Sequence, residues 1–112
     1  MTTRILARTE WTAYLDRLSK GLKMQQAQID VVGLSIGSLK LVDQWIPFLG
    51  VVYDHKNDLV EVALEGLDHI IHHPTEISVV EGAGGVESMQ IVGMDGMRQI
   101  VKLKRPARLI AP

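Results

Sequence analysis

Three of the four histidines stand close together, in Asp68-His69-Ile70-Ile71-His72-His73. On one turn of helix, His69, His72 and His73 share a face at i, i+3 and i+4. That spacing suits imidazole ligation of zinc or another transition metal, with Asp68 or Glu65 as an oxygen ligand. The segment is short, however, and lacks the glutamate that metalloproteases place between their histidines. Histidines at the end of an element, just before Pro74, explain the cluster equally well. A small metal-binding protein or metal enzyme using His69, His72 and His73 is therefore the alternative reading and not the leading one.

The other chemically suggestive groupings are weaker. Asp54, Asn57 and Asp58 offer oxygens for calcium, but not at EF-hand spacing, and such residues favour turns for backbone reasons of their own. The loop Glu81 to Gly85 has the composition of a phosphate cradle. A strand-like segment follows it, and not the helix N-terminus that such a cradle requires. Ser35, Ser38, Ser78 and Ser88 stand in no nucleophile-elbow pattern. Glu61 and Glu65 share a strand face across Ala63, which a solvated face or cross-strand ion pairs explain. No catalytic residue is assigned, and no cofactor is expected.

Two features point to contact instead. Arg98, Lys102 and Lys104 share strand parity, followed by Arg105 and Arg108. They lack the interleaved aromatics of single-strand nucleic-acid binders, so nucleic acid is not the expected partner. Trp45-Ile46-Pro47-Phe48-Leu49 concentrates two aromatics in a very apolar segment. Such a segment is most often core. Pro47 cannot donate to a ladder, which makes the region an edge or a strand junction, and at an edge Trp45 and Phe48 form a patch for a second subunit.

The elements that position these residues follow from periodicity. Trp11, Tyr14, Leu15, Leu18 and Leu22 mark one face of a helix over about 9–22, with Thr9 as N-cap, Gly21 as its stop and Asp16 placed to pair with Lys20. The period then becomes two. Ala27, Ile29 and Val31 alternate with polar residues until the apolar set slips to Val32, Leu34 and Ile36, which predicts a β-bulge or a bend in a long strand beside Gly33. Residues 54–58 form a hairpin turn, and Val60, Val62 and Leu64 share one face of the outgoing strand. Gly66 ends that strand. Further strands run from Glu76 to Val80, Val86 to Val92 and Met97 to Lys104, with Asp95-Gly96 as a tight turn. Residues 105–112 read as a tail. The predicted fold is α+β: one N-terminal amphipathic helix packed on an antiparallel sheet, about 26–104, that curls toward a barrel.

Size and charge bound the rest. The 112 residues suit a single domain, and 46% hydrophobic with 22% charged residues is ordinary globular usage. The absence of cysteine excludes disulfides, thiolate metal sites and Cys nucleophiles. No apolar run reaches the length of a signal peptide or a membrane span, so a cytoplasmic protein is expected. The net charge of −1 hides a segregation along the chain. Bases dominate before residue 43, acids from Asp43 to Asp95, and only bases follow. Pairing of the basic C-terminal strand with acidic middle strands is preferred over pairing between two copies.

Glu10-Trp11-Thr12-Ala13-Tyr14-Leu15-Asp16, the strand Asp58 to Leu64, His69, Ile71 and Pro74, and Asp95-Gly96 together give the chain a likeness over nearly its whole length. It resembles a family of short bacterial proteins of unknown function. The resemblance implies a stand-alone bacterial protein and carries no active-site residues. It favours an extended 69–73, in which His69 and His73 face one way and His72 the other. The leading expectation is a non-enzymatic binding or interaction protein of the bacterial cytoplasm. Such a protein works as a homodimer joined through a sheet edge or the 45–49 patch, with an unidentified protein or small molecule as any further partner.

Overall fold

The computed structural model describes residues 1–111. In chain order the strands are β1 (Thr2–Ile5), β2 (Gln26–Gly33), β3 (Gly37–Asp54), β4 (Leu59–Leu64), β5 (Leu67–His72), β6 (Glu76–Gly82), β7 (Gly85–Val92) and β8 (Arg98–Ala107). The helix α1 (Trp11–Lys20) lies between β1 and β2. Neighbours in the sheet run β1-β6-β7-β8-β2-β3-β4-β5, and the paired strands are antiparallel. Strands hold about 60% of the chain and helix about 12%. The fold is thus mostly β with one short helix, which corrects the α+β expectation. The reason is physical: ten helical residues cannot cover a sheet of this breadth, so the sheet buries much of its inner face by rolling on itself.

The roll depends on β3. Over its first half this 18-residue strand pairs with β2, ending at Gln26↔Pro47. From Phe48↔Leu64 onward it pairs with β4. Pro47 sits where one ladder gives way to the next, so its missing N–H costs least there. It marks a junction inside the sheet and not an edge. Beyond it, β4 and β5 fold back across the first strands. The His69 imidazole of β5 thereby meets Gln99 of β8, although three strands separate the two in sheet order.

The bulge expected beside Gly33 is a turn instead, with Gly33↔Gly37 closing the β2–β3 hairpin. The irregularity falls lower down. Asp30 faces Lys40 and Ile29 faces Val42, which leaves Leu41 as an extra residue, and Gln28 stands opposite a second stretch at 43–45. Two strand segments escaped the pattern reading. β1 has four exposed residues and no alternation of its own; pairing with β6 makes it a strand. β8 continues through Ala107, so the tail begins three residues later than expected.

The helix is shorter than its stripe suggests. A tight turn over Arg8–Glu10 precedes it, and no side chain caps it; Thr9 lies within that turn. Among the described residues Asp16 and Lys20 form no ion pair. Trp11, Tyr14, Leu15 and Leu18 are buried, as is Leu22 just beyond the end. Gly21 ends the helix at φ −93°, outside the left-handed region, so the requirement for glycine is steric: a Cβ there strikes the Arg108 carbonyl oxygen. Past Pro47 one edge of β3 has lost β2, and α1 covers it. The Ser19 hydroxyl donates to the Val51 carbonyl at 2.6 Å and accepts from the Val51 N–H at 2.9 Å. One side chain thus satisfies both backbone groups of an otherwise open edge.

A single core fills the roll. Leu15 and Leu18 from the helix meet Val51, Val60, Val62 and Leu64 from one arm of the sheet and Ile77, Val79, Ile91 and Val101 from the other. Val60, Val62 and Leu64 are the inward set expected for β4. Each such side chain contributes about 1.5–3 kcal/mol when fully buried.

Candidate functional site

The histidine cluster is extended, as the resemblance implied, and its members diverge. On β5 the exposure pattern turns Leu67, His69 and Ile71 inward and leaves Asp68, Ile70 and His72 exposed. His69 points across the roll, where Gln99 Oε1 lies 2.7 Å from its Nε2. His73 follows the strand at φ +48° and sets Nδ1 3.2 Å from Asp58 Oδ2. Among the described residues no three histidines or carboxylates gather closely enough to hold a metal ion.

Asp58 is itself left-handed, at φ +49°, and the His73 N–H donates to its carbonyl at 2.8 Å. Its carboxylate also takes the Tyr53 hydroxyl at 2.7 Å and Arg8 at 2.9 Å. The hydrogen bond from Tyr53, then that from His73, hold the Asp58 carboxyl below its usual range. Arg8 also reaches the Pro74 carbonyl and stacks 4.5 Å over Trp11, whose ring meets Tyr53 edge-on at 5.2 Å. On the other side of the helix, Arg4 binds Glu10 at 2.6 Å and Glu81 at 3.4 Å, and the Tyr14 hydroxyl donates to Glu81 at 2.8 Å. Burial, reinforced by Glu81, pushes the Tyr14 hydroxyl well above its ordinary range. These two networks tie β1 and the helix to the sheet. Their polar groups are consumed by one another, which suits a fastening more than a binding site.

The basic stripe is present on β8 as parity requires, with Arg98 and Lys104 exposed. Lys102 binds Asp30 at 2.7 Å. Asp30 belongs to β2, not to the acidic middle of the chain, and no ion pair joins β8 to residues 43–97 among the described residues. The middle acids Asp58 and Glu81 are met instead by Arg8 and Arg4. In the 45–49 segment Trp45 is 38% exposed and Leu49 is 62% exposed, whereas Phe48 lies in the core at 3%. The stretch therefore presents Trp45 and Leu49 outward without Phe48.

Another uncovered apolar surface lies elsewhere. The β2–β3 hairpin runs past the core, so that Ile36, Leu39 and Leu41 are roughly half exposed. Val31 stands beside Leu39 by register. Met94, in the turn between β7 and β8, is 71% exposed. A cavity of about 360 Å³ opens here. Residues 69–72 of β5 form one wall, and Val31, Leu41, Met94 and Met97 form the other, with Gln99 between them. The sequence held one sign of this: Gln99 is a polar residue at inward parity between Met97 and Val101. That a histidine thirty positions away would answer it was not legible.

The fit to known sequences runs through all these elements. The model of the Family of unknown function (DUF5335) matches residues 2–112. The chain belongs to that family. Within reach of this DUF5335 protein is an uncharacterized protein of Aquifex aeolicus (strain VF5), 37% identical over 105 residues that cover 93% of this chain and 94% of that one. No solved structure matches. No described helix is long and apolar enough to cross a membrane.

Proposed function

We propose that this DUF5335 protein is a non-enzymatic interaction module of the bacterial cytoplasm that works as a homodimer, with the open end of the roll as its contact surface. The observation that carries this is the set of exposed apolar side chains at Ile36, Leu39, Leu41 and Met94, of which Leu41 and Met94 line a 360 Å³ cavity. Contiguous apolar surface of this kind is unfavourable in water and marks places where another molecule sits. A second copy is the partner because it brings the same surface, and a two-fold contact joins like to like. Beside the helix, by contrast, Arg4, Arg8, Tyr14, Tyr53, Asp58 and Glu81 are taken up by hydrogen bonds and ion pairs within the chain. Bacterial origin is supported by the relative from Aquifex aeolicus.

Light scattering across a wide concentration range tests the proposal. The wild-type chain is expected to run as a dimer, and Leu39→Asp as a folded monomer. A wild-type monomer at every concentration overturns it.

A further inference from the structure

We infer that the two copies join through β5, each pairing its free edge antiparallel with the other about a two-fold axis at Ile70. The inference rests on a second copy occupying the open end, and it specifies the strand and the register.

β5 is the last strand in the sheet order, so one of its edges has no neighbour. Which backbone groups face that edge follows from hydrogen-bond parity. His73 donates its N–H to Asp58, and the ladder continues as Leu59↔His72, Val60↔Ile71, Glu61↔Ile70, Val62↔His69 and Ala63↔Asp68. In an antiparallel pair, hydrogen-bonded and non-bonded positions alternate. Ile71, His69 and Leu67 therefore spend their N–H and C=O groups on β4, while Asp68, Ile70 and His72 turn theirs toward the free edge. Residues 69–72 of the same strand line the cavity.

The edge also lacks the usual protection. No proline or lysine falls within Leu67–His72, and the β4–β5 register runs without a bulge. A strand left in this condition is a template for another strand.

Its side chains match themselves. A two-fold axis at Ile70 sets Ile70 against the partner's Ile70 and Asp68 against the partner's His72, with the same pair repeated on the other side. An apolar contact is then flanked by two carboxylate–imidazole contacts, in which the ring N–H can donate to the carboxylate, and apolar cross-strand pairs favour association. All three side chains are exposed, with Ile70 at 44%. An axis at Asp68 stacks carboxylate on carboxylate. An axis at His69 sets His72 against Gly66, and one at Ile71 sets Asp68 against Pro74, which has no N–H. Only the axis at Ile70 uses every edge-facing residue of the strand. Leu41, Met94 and Met97, across the cavity from β5, then flank the incoming strand.

Sedimentation velocity on three variants tests this. Asp68→Lys takes the acceptor carboxylate away from the partner's His72 at both ends, and the dimer Kd is expected to rise roughly tenfold. Asp68→Lys combined with His72→Glu sets opposite charges across both contacts, and the dimer is expected to return. Ile70→Pro removes an N–H that β4 does not use, so a folded monomer is expected. Asp68 and His72 are exposed, so the charge pair stays informative even if the proline variant fails to fold. A dimer indifferent to Asp68→Lys, or a loss that the double variant does not restore, overturns the β5 register. If Leu39→Asp still dissociates that dimer, the open end remains the contact surface. A wild-type monomer overturns both.

Discussion

The edge of β3 beneath the helix and the free edge of β5 pose the same problem and receive opposite treatment. Where β3 leaves β2, its open backbone groups at Val51 are taken by Ser19, and α1 lies over the gap. Where β5 ends the sheet, no strand pairs with its outer edge among the described residues, and residues 69–72 line a cavity. The flanking side chains differ in the same way. Beside the helix, Arg4, Arg8, Tyr14, Tyr53, Asp58 and Glu81 bind one another. Around β5, Leu39, Leu41, Ile70 and Met94 face water. The monomer is thus finished on one side and unfinished on the other, and the unfinished side is where function is expected.

Breaking the finished side has the largest consequence for folding. Trp11 is 2% exposed, packs against Tyr53 and supports Arg8. Trp11→Ala is expected to cost about 3–5 kcal/mol in denaturant melts. Ser19→Ala leaves the Val51 N–H and carbonyl without their partner and is expected to cost about 1–3 kcal/mol. Two pH effects are smaller. The folded-state pKa of Tyr14 is raised, so its contribution is complete below the ordinary tyrosine value near ~10 and is lost as pH rises above it. Tyr14→Phe should flatten the alkaline fall of the melting temperature. The Asp58 pKa is lowered, so its contribution is complete above about 4 and fades as pH drops below. Asp58→Asn should flatten the acid limb. The smallest effect on folding belongs to the unfinished side: Met94→Asp should change monomer stability by less than about 0.5 kcal/mol while weakening association.

The same contrast explains how much of the molecule was legible in the sequence. Trp11, Tyr14, Leu15 and Leu18 repeat with the helical period because one face is buried along its whole length, and Val60, Val62 and Leu64 alternate for the matching reason in a strand. Legibility failed where pairing, not patterning, decides. β1 is a strand only because β6 holds it. Parity along β3 cannot be counted through Leu41 and 43–45, where residues are added to one side of the ladder. Trp45 and Phe48 stand three apart, so alternation along the strand alone sends one outward and the other into the core. The histidines diverge because extended backbone alternates faces. The surface proposed for binding draws on β2, β3, β5 and the β7–β8 turn, which only the roll brings together.

Amide hydrogen exchange at low and high protein concentration tests the contrast most directly. With rising concentration the amides of Asp68, Ile70 and His72 are expected to become protected, while that of Val51, already bound by Ser19, keeps its rate. Edge amides of β5 that exchange equally fast at both concentrations, in a sample that remains monomeric, would contradict the claim that the uncovered side is completed by a second copy.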